Sequence, residues 1–142
     1  MADYFVMLVD WREARVMLSE VRTTVFVEEQ GVPPEIEMDG LDPECTHVLA
    51  RDLDGFPVGA GRLMPDGRIG RMAVLADWRG SGVGGAMLVA LMDEARRRGQ
   101  PEVYLHSQSH AKAFYERHGF AVEGEEYLEA NIPHVGMRAR LK

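Results

Sequence analysis

Apolar positions along this chain fall into short strand-like runs and one helical stripe before residue 80. Tyr4-Phe5-Val6-Met7-Leu8-Val9 predicts a first strand. Asp10 can cap the helix that follows, in which Val16, Met17, Val21 and Val25 supply an apolar stripe. Gly31-Val32-Pro33-Pro34 stops that helix, and a loop or short helix carries a run of acids to Pro43. Residues 47–51, 57–63 and 68–75 predict three more strands, separated by Asp54-Gly55 and Asp66-Gly67. Asp-Gly between strand-like runs signals a tight hairpin, so strands two to four form an antiparallel meander.

Beyond residue 80 the rhythm changes. Residues 83–92 predict a long helix whose end is marked three ways: Arg96, Arg97 and Arg98 complement the C-terminal dipole, Gly99 suits the position after the cap, and Pro101 forbids continuation. Residues 103–107 form a fifth strand, parallel to the fourth through a right-handed crossover because a helix lies between them. A short helix over 111–118 closes at Gly119, and residues 120–122 and 135–139 are the last two strands. The pattern predicts one domain over residues 1–142, an α/β or α+β mixed sheet flanked by helices.

Composition narrows the class. A chain of 142 residues that is 46% hydrophobic can bury a core without staples. Cys45 is the single cysteine, so neither a disulfide framework nor a cysteine zinc site is available, and no metal is expected. Its neighbours Asp42, Pro43 and Glu44 disfavour a thiolate, which makes it structural. No run reaches the roughly 18 apolar residues of a membrane span, and no secretory pattern opens the chain, so a cytoplasmic location is expected. The net charge of −7 excludes a binder that must neutralise phosphates, hence no nucleic-acid partner. The acids bunch at residues 28–44 and 123–129. Such runs are usually solvated faces; the sharper alternative is a field that attracts a cationic amine.

The densest chemical signal is Arg79-Gly80-Ser81-Gly82-Val83-Gly84-Gly85, between the fourth strand and the long helix. Free N–H groups and the positive dipole end make such a turn a place to hold phosphate. Gly80-x-Gly82-x-x-Gly85 satisfies the dinucleotide fingerprint formally, but the fifth strand ends in Ser107, Gln108 and Ser109 rather than a ribose-binding acid. A P-loop needs Gly-Lys-Ser/Thr, and here Gly84 precedes Gly85 and Ala86.

A third reading covers nearly the whole chain. The glycine turn, followed by Phe114-Tyr115-Glu116-Arg117-His118-Gly119-Phe120, resembles the GNAT family of N-acetyltransferases. Residues 25–30, His47, residues 70–75 and residues 129–134 resemble its small ElaA-like branch. The resemblance implies a mixed sheet with an antiparallel N-terminal meander and a parallel central pair splayed at the cofactor site. It also implies acetyl-CoA as the acyl donor. Backbone amides from Gly80 through Ser81, Gly82, Val83 and Gly84 to Gly85, with Arg79 at the mouth, would take the pyrophosphate. The edge formed by Met72, Ala73 and Val74 would pair with the amide arm, and Gln108, Ala111 and Phe114 would border it. Tyr115 stands where these enzymes keep the acid near the leaving sulfur.

The base and the acceptor are less constrained. Arg71 occupies a position where many relatives carry glutamate, leaving Glu28, Glu29, His106, Glu129 and His134 as candidates, with His134 and Glu29 ranked first. The same five residues are expected to line the acceptor site, for a small-molecule amine or a terminal amino group. Acidic convergence there would favour a cationic substrate. A homodimer is compatible with this reading, and no membrane partner is expected. The rival reading is a non-catalytic module that binds coenzyme A thioesters and reports their level.

Overall fold

The computed structural model describes residues 3–141. Strands β1 (Tyr4–Val9), β2 (Thr46–Asp52), β3 (Pro57–Leu63) and β4 (Ile69–Val74) pair in chain order as an antiparallel sheet. Both Asp-Gly hairpins form, with φ of +91° at Gly55 and +96° at Gly67, a region that glycine enters without steric cost. A second antiparallel sheet has the order β5 (Glu102–Gln108), β7 (Ile132–Arg140), β6 (Ala121–Glu129). In place of a continuous parallel pair, β4 and β5 share one parallel bridge, Arg68 with Tyr104. Beyond it they belong to different sheets and line opposite sides of a cleft.

Helices cover both faces of the first sheet. Helix α1 (Trp11–Arg22) runs into a π-helical turn over Thr23–Glu29, and short α2 (Pro34–Glu37) follows. Helix α3 (Val83–Arg97) and short α4 (Lys112–Glu116) lie either side of β5 in the chain. Alternation along β2 sends Val48 and Ala50 into the cluster with Leu88 and Leu91 of α3, and Leu49 into the cluster with Leu18 and Val21 of α1. Two-sided burial explains why β2 and β3 read as continuous rather than alternating apolar runs. Asp10 takes the N-cap position of α1 but makes no side-chain cap bond. Ala14, Leu18, Val21 and Val25 face the core, whereas Val16 is 72% exposed. The reason is angular: two residues from both Ala14 and Leu18, it points to the opposite side of the helix.

The largest local departure is β6, which extends to Glu129 where only residues 120–122 read as strand. Every residue of this edge strand is exposed, so no buried face imposes an apolar alternation. Ala130 and Asn131, at φ +52° and +62°, then make a two-residue turn into β7.

The first acidic run is a solvated face only in part: Glu28, Glu35 and Glu44 are exposed, but Glu37 and Asp42 are not. Glu37 and Asp42 are 4% and 2% exposed, locked to Arg22 by Nε–Oε2 and Nη1–Oδ1 contacts of 2.7 Å each. Arg62 bridges Asp42 at 2.9 Å and Asp39 at 2.5 Å, and Arg71 joins Glu37 at 3.3 Å and Asp39 at 3.2 Å. This cluster ties the 34–42 segment to α1, β3 and β4, which forms the wall of the cleft. Burial alone would raise the Asp42 carboxyl, yet hydrogen bonds and charge from Arg22 and Arg62 hold it below its ordinary value; Asp39 follows the same balance through Arg62. Such groups contribute stability that is complete above about pH 4 and is lost as pH falls through the depressed folded-state value. Urea midpoints of the native protein should therefore drop as pH falls below about 4, and the drop should be shallower in Asp39→Asn. An identical slope in the two proteins would place the acid-labile pairs elsewhere.

Candidate active site

Strands β4 and β5 diverge around a cleft of about 1070 Å³ that reaches from the glycine turn to the β6–β7 hairpin. Its opening follows from β4 itself. Arg71 has φ of +51°, and the β3–β4 register shifts opposite it, between Ala60 and Arg62. Such a bulge re-aims the strand. Because β4 is the edge of its sheet, the backbone of Met72, Ala73 and Val74 faces the cleft, and all three residues line it.

The glycine turn enters α3 in a conformation that glycine alone takes cheaply. Gly80 has φ of +81°, and Gly82, the N-cap, has φ of +93°. The first intrahelical donor is Ala86, bonded to the Gly82 carbonyl at 3.0 Å. The N–H groups of Val83, Gly84 and Gly85 precede it and have no intrahelical acceptor. Gly84 and Gly85 also admit α4: a Cβ at Gly84 would meet the Phe114 ring at 3.5 Å, and one at Gly85 would meet His118 Nε2 at 3.3 Å. Gly80, Gly82, Gly84, Gly85, Ala111 and Phe114 line the cleft as expected. Ser81 and Val83 do not. Ser81 turns its hydroxyl to the Trp78 carbonyl, and Val83 is 1% exposed in the core, so only their backbones are available to a ligand.

Arg79 is not the free charge that the sequence led us to expect. Its guanidinium grips Glu29 in two bonds, Nη1–Oε2 at 2.6 Å and Nη2–Oε1 at 2.7 Å, while Nε donates to the Val74 carbonyl. The Arg79 hydrogen bond holds the Glu29 carboxyl below its usual range, which makes it a poor base at neutral pH. Glu28 is exposed and does not line the cleft. The expected convergence of acids is thus reduced, since one carboxylate is neutralised and another points elsewhere. Arg117 and His118, which the sequence reading left out of the site, also line it, His118 against Gly85 at the α3 terminus. Gln30 was also missed: it accepts a bond from Gln108 Nε2 at 2.7 Å, while Gln108 Oε1 meets His110 at 2.6 Å. Partner choice of this kind, across 78 residues between Gln30 and Gln108, leaves no mark in local spacing.

Tyr115 lines the same cleft, packed edge-on against Phe114 and Phe120 at centroid distances of 4.9 and 5.8 Å. Burial pushes its phenol up to about 12. On the other wall, His106, His134 and Glu129 come together from β5, β7 and β6. His134 is 7% exposed, and its Nδ1 lies 2.6 Å from the Ile132 carbonyl. A carbonyl only accepts, so Nδ1 carries the proton and Nε2 is the lone-pair nitrogen of the neutral ring. Nε2 lies 3.9 Å from the Glu129 carboxylate. His106 Nδ1 contacts the Tyr127 hydroxyl, and burial, then Arg68, hold its imidazole below the ordinary range. Cys45 behaves as predicted: its thiol donates to the Leu41 carbonyl, and burial pushes it up. Among the described residues no cluster of His, Cys, Asp and Glu is suited to a metal, and no helix is long and apolar enough to cross a membrane.

Comparison with known proteins meets this geometry. The acetyltransferase (GNAT) domain family matches residues 17–141. "Uncharacterized N-acetyltransferase YjcF" of Bacillus subtilis is 44% identical over 121 residues, covering 82% of this chain and 86% of its own. Among solved structures, ElaA of Escherichia coli superposes with a TM-score of 0.85 at 29% identity, over 95% of this chain and 99% of its own. An acyl-CoA N-acyltransferase from Pseudomonas aeruginosa does so with a TM-score of 0.83 at 33% identity, over 96% and 99%.

Proposed function

Since this chain belongs to the GNAT acetyltransferase family and is an acyltransferase, we propose that it moves an acetyl group from acetyl-CoA directly to an amine, on a small molecule or a terminal amino group. One observation carries the reading: the free amides of the α3 terminus, the open β4 edge, Tyr115 and His134 all border a single cleft. The residues present fit coenzyme A. The first-turn amides of α3 can take the pyrophosphate, at roughly 1.5–3 kcal/mol for each charge-assisted bond. Met72, Ala73 and Val74 can receive the amide arm as an added strand, and one of their N–H groups can polarise the thioester carbonyl. Gln108 would contribute its backbone, its side chain being held by Gln30 and His110.

Acetyl-CoA supplies the acyl group as a thioester; the chain holds, orients and moves protons. His134 Nε2 takes the proton from the acceptor ammonium, and Glu129 stabilises the imidazolium that results. Tyr115 serves the leaving sulfur. With a phenol at about 12 and a thiol near 8.5, full proton transfer is uphill by about 5 kcal/mol. Tyr115 therefore donates a hydrogen bond to the developing thiolate rather than surrendering its proton. Tyr115→Phe should lower kcat about 10- to 100-fold. Because the phenol stays protonated well above neutrality, the loss should be the same factor at every pH from about 6 to 10. Free-thiol release against pH, in both proteins, measures it. An unchanged kcat would remove Tyr115 from the chemistry, and a loss confined to high pH would mean that the phenol titrates.

The non-catalytic alternative predicts coenzyme binding without turnover. Family membership and the His134–Glu129 pair favour the enzyme.

A further inference from the structure

At the end of β4 remote from the glycine turn, one charge is left without a partner. Arg68 lines the cleft, half-buried, and enters no ion pair within 4.0 Å among the described residues. Of the other cleft arginines, Arg71 is engaged by Glu37 and Asp39 and Arg79 by Glu29; Arg117, likewise without an ion pair among the described residues, is next in the chain to His118, which lies against Gly85 at the opposite end of the cleft. The nearby carboxylate of Asp66 accepts the Tyr104 hydroxyl and the backbone N–H of Arg68 itself. The six residues from Ile69 to Val74 span about 20 Å, which places Arg68 out of reach of the α3 amides. It does not serve the phosphates.

Beside Arg68 begins a row of rings on the face of the second sheet turned away from α3. Val103 and Leu105 fill the core against α3, so Tyr104 and His106 point the other way. Tyr104 meets His106 at a centroid distance of 6.4 Å, His106 meets Tyr127 at 5.8 Å, and Tyr127 meets His134 at 6.0 Å. The row ends at the His134–Glu129 pair. One wall thus presents a guanidinium at one end and a base with its carboxylate at the other. Tyr104 is bridged to Arg68, and His134 pairs with Gln108, four residues along β5. That is about 13 Å of strand, a distance that the reach of the arginine side chain shortens. Burial and the Arg68 charge keep His106 from becoming a competing cation between them.

We propose that Arg68 binds a carboxylate of the acceptor, so that the substrate class is an amine whose carboxylate lies several bonds from the reacting nitrogen. This rests on the reading that the amine is deprotonated at His134. A guanidinium recognises a carboxylate in paired, charge-assisted bonds, and a neutral ester forfeits them. A diamine of the same length would place a second cation against Arg68.

The test separates binding from turnover. N-acetyl-6-aminohexanoate and its methyl ester are titrated by calorimetry into wild type, Arg68→Gln and Arg68→Lys, each saturated with coenzyme A. The acid should bind wild type about 10- to 100-fold more tightly than the ester. Arg68→Gln should lose that preference while keeping the ester's affinity, and Arg68→Lys should keep part of it. Equal affinities in wild type, or a preference that survives in Arg68→Gln, would overturn the assignment. Acetyl transfer to 6-aminohexanoate, its methyl ester and hexylamine is measured in parallel. A carboxylate preference in binding without transfer to any of the three would uphold Arg68 and count against the catalytic reading. Transfer with no discrimination would uphold the enzyme and sink the Arg68 proposal.

Discussion

Gly82→Val should weaken acetyl-CoA binding about 100-fold or more while leaving a folded protein. Gly82 sits at φ +93°, where a β-branched residue is strained by roughly 1–3 kcal/mol, and it is the N-cap of α3. A valine there either tilts the first turn or places methyl groups where phosphate oxygens approach the backbone. Each course removes amide bonds to the pyrophosphate, and losing two of them suffices for the expected change. The fold has room: a Cβ at Gly82 meets only the Tyr4 hydroxyl, at 3.4 Å. Calorimetry with acetyl-CoA on protein verified as folded by circular dichroism makes the measurement. Near-native affinity would mean that the pyrophosphate binds elsewhere. Gly85 offers a contrast in backbone rather than space: it carries no positive φ, and a Cβ there lies 3.3 Å from His118 Nε2, which a small shift of that ring relieves.

His134→Asn should lower kcat/KM for the best amine by about 10²–10⁴-fold near neutral pH, with acetyl-CoA affinity unchanged. The asparagine Nδ2 stands in for the imidazole Nδ1 as donor to the Ile132 carbonyl, so the β6–β7 hairpin retains that contact. Asparagine has no nitrogen able to accept a proton. The effect should fall on the step that needs a neutral amine and not on the donor site, since His134 stands on β7 and the amides proposed for the phosphates on α3. A loss smaller than about threefold would assign deprotonation to His106 or to ordered water. A matching loss of coenzyme affinity would instead show His134 to be structural.

Much of this architecture is legible in local sequence because it depends on local geometry. Asp54-Gly55 and Asp66-Gly67 encode turns through the conformational freedom of glycine, and the strand between them spans Pro57–Leu63 as read. The Arg96–Gly99–Pro101 signals likewise end α3 where expected, with Arg98 as C-cap and Gly99 at φ +80°. What stays hidden is partner choice. Glu37 and Asp42 look like solvated acids until the chain brings Arg22 and Arg62 against them. Arg79 looks free until Glu29, 50 residues away, closes on it. Strand β6 is hidden for another reason: an edge strand exposed on both faces has no buried side to impose a period. The candidate site divides along the same line. Tyr115, the glycine turn and His134 are legible as candidates from motif, order and family resemblance, and they line one cleft. Arg68, Arg117, His118 and Gln30 enter only through the cleft that they line.

The central claim is direct acetyl transfer to an amine within this cleft. Its most direct test follows thiol release and N-acetyl product together, with labelled acetyl-CoA and a panel of amines, amino acids and peptides. The account predicts one N-acetyl product for each thiol released, intersecting initial-rate lines, and no label retained on the protein after gel filtration. Thiol release without acetylated amine, or an acetylated protein that forms and decays at the rate of turnover, would contradict it.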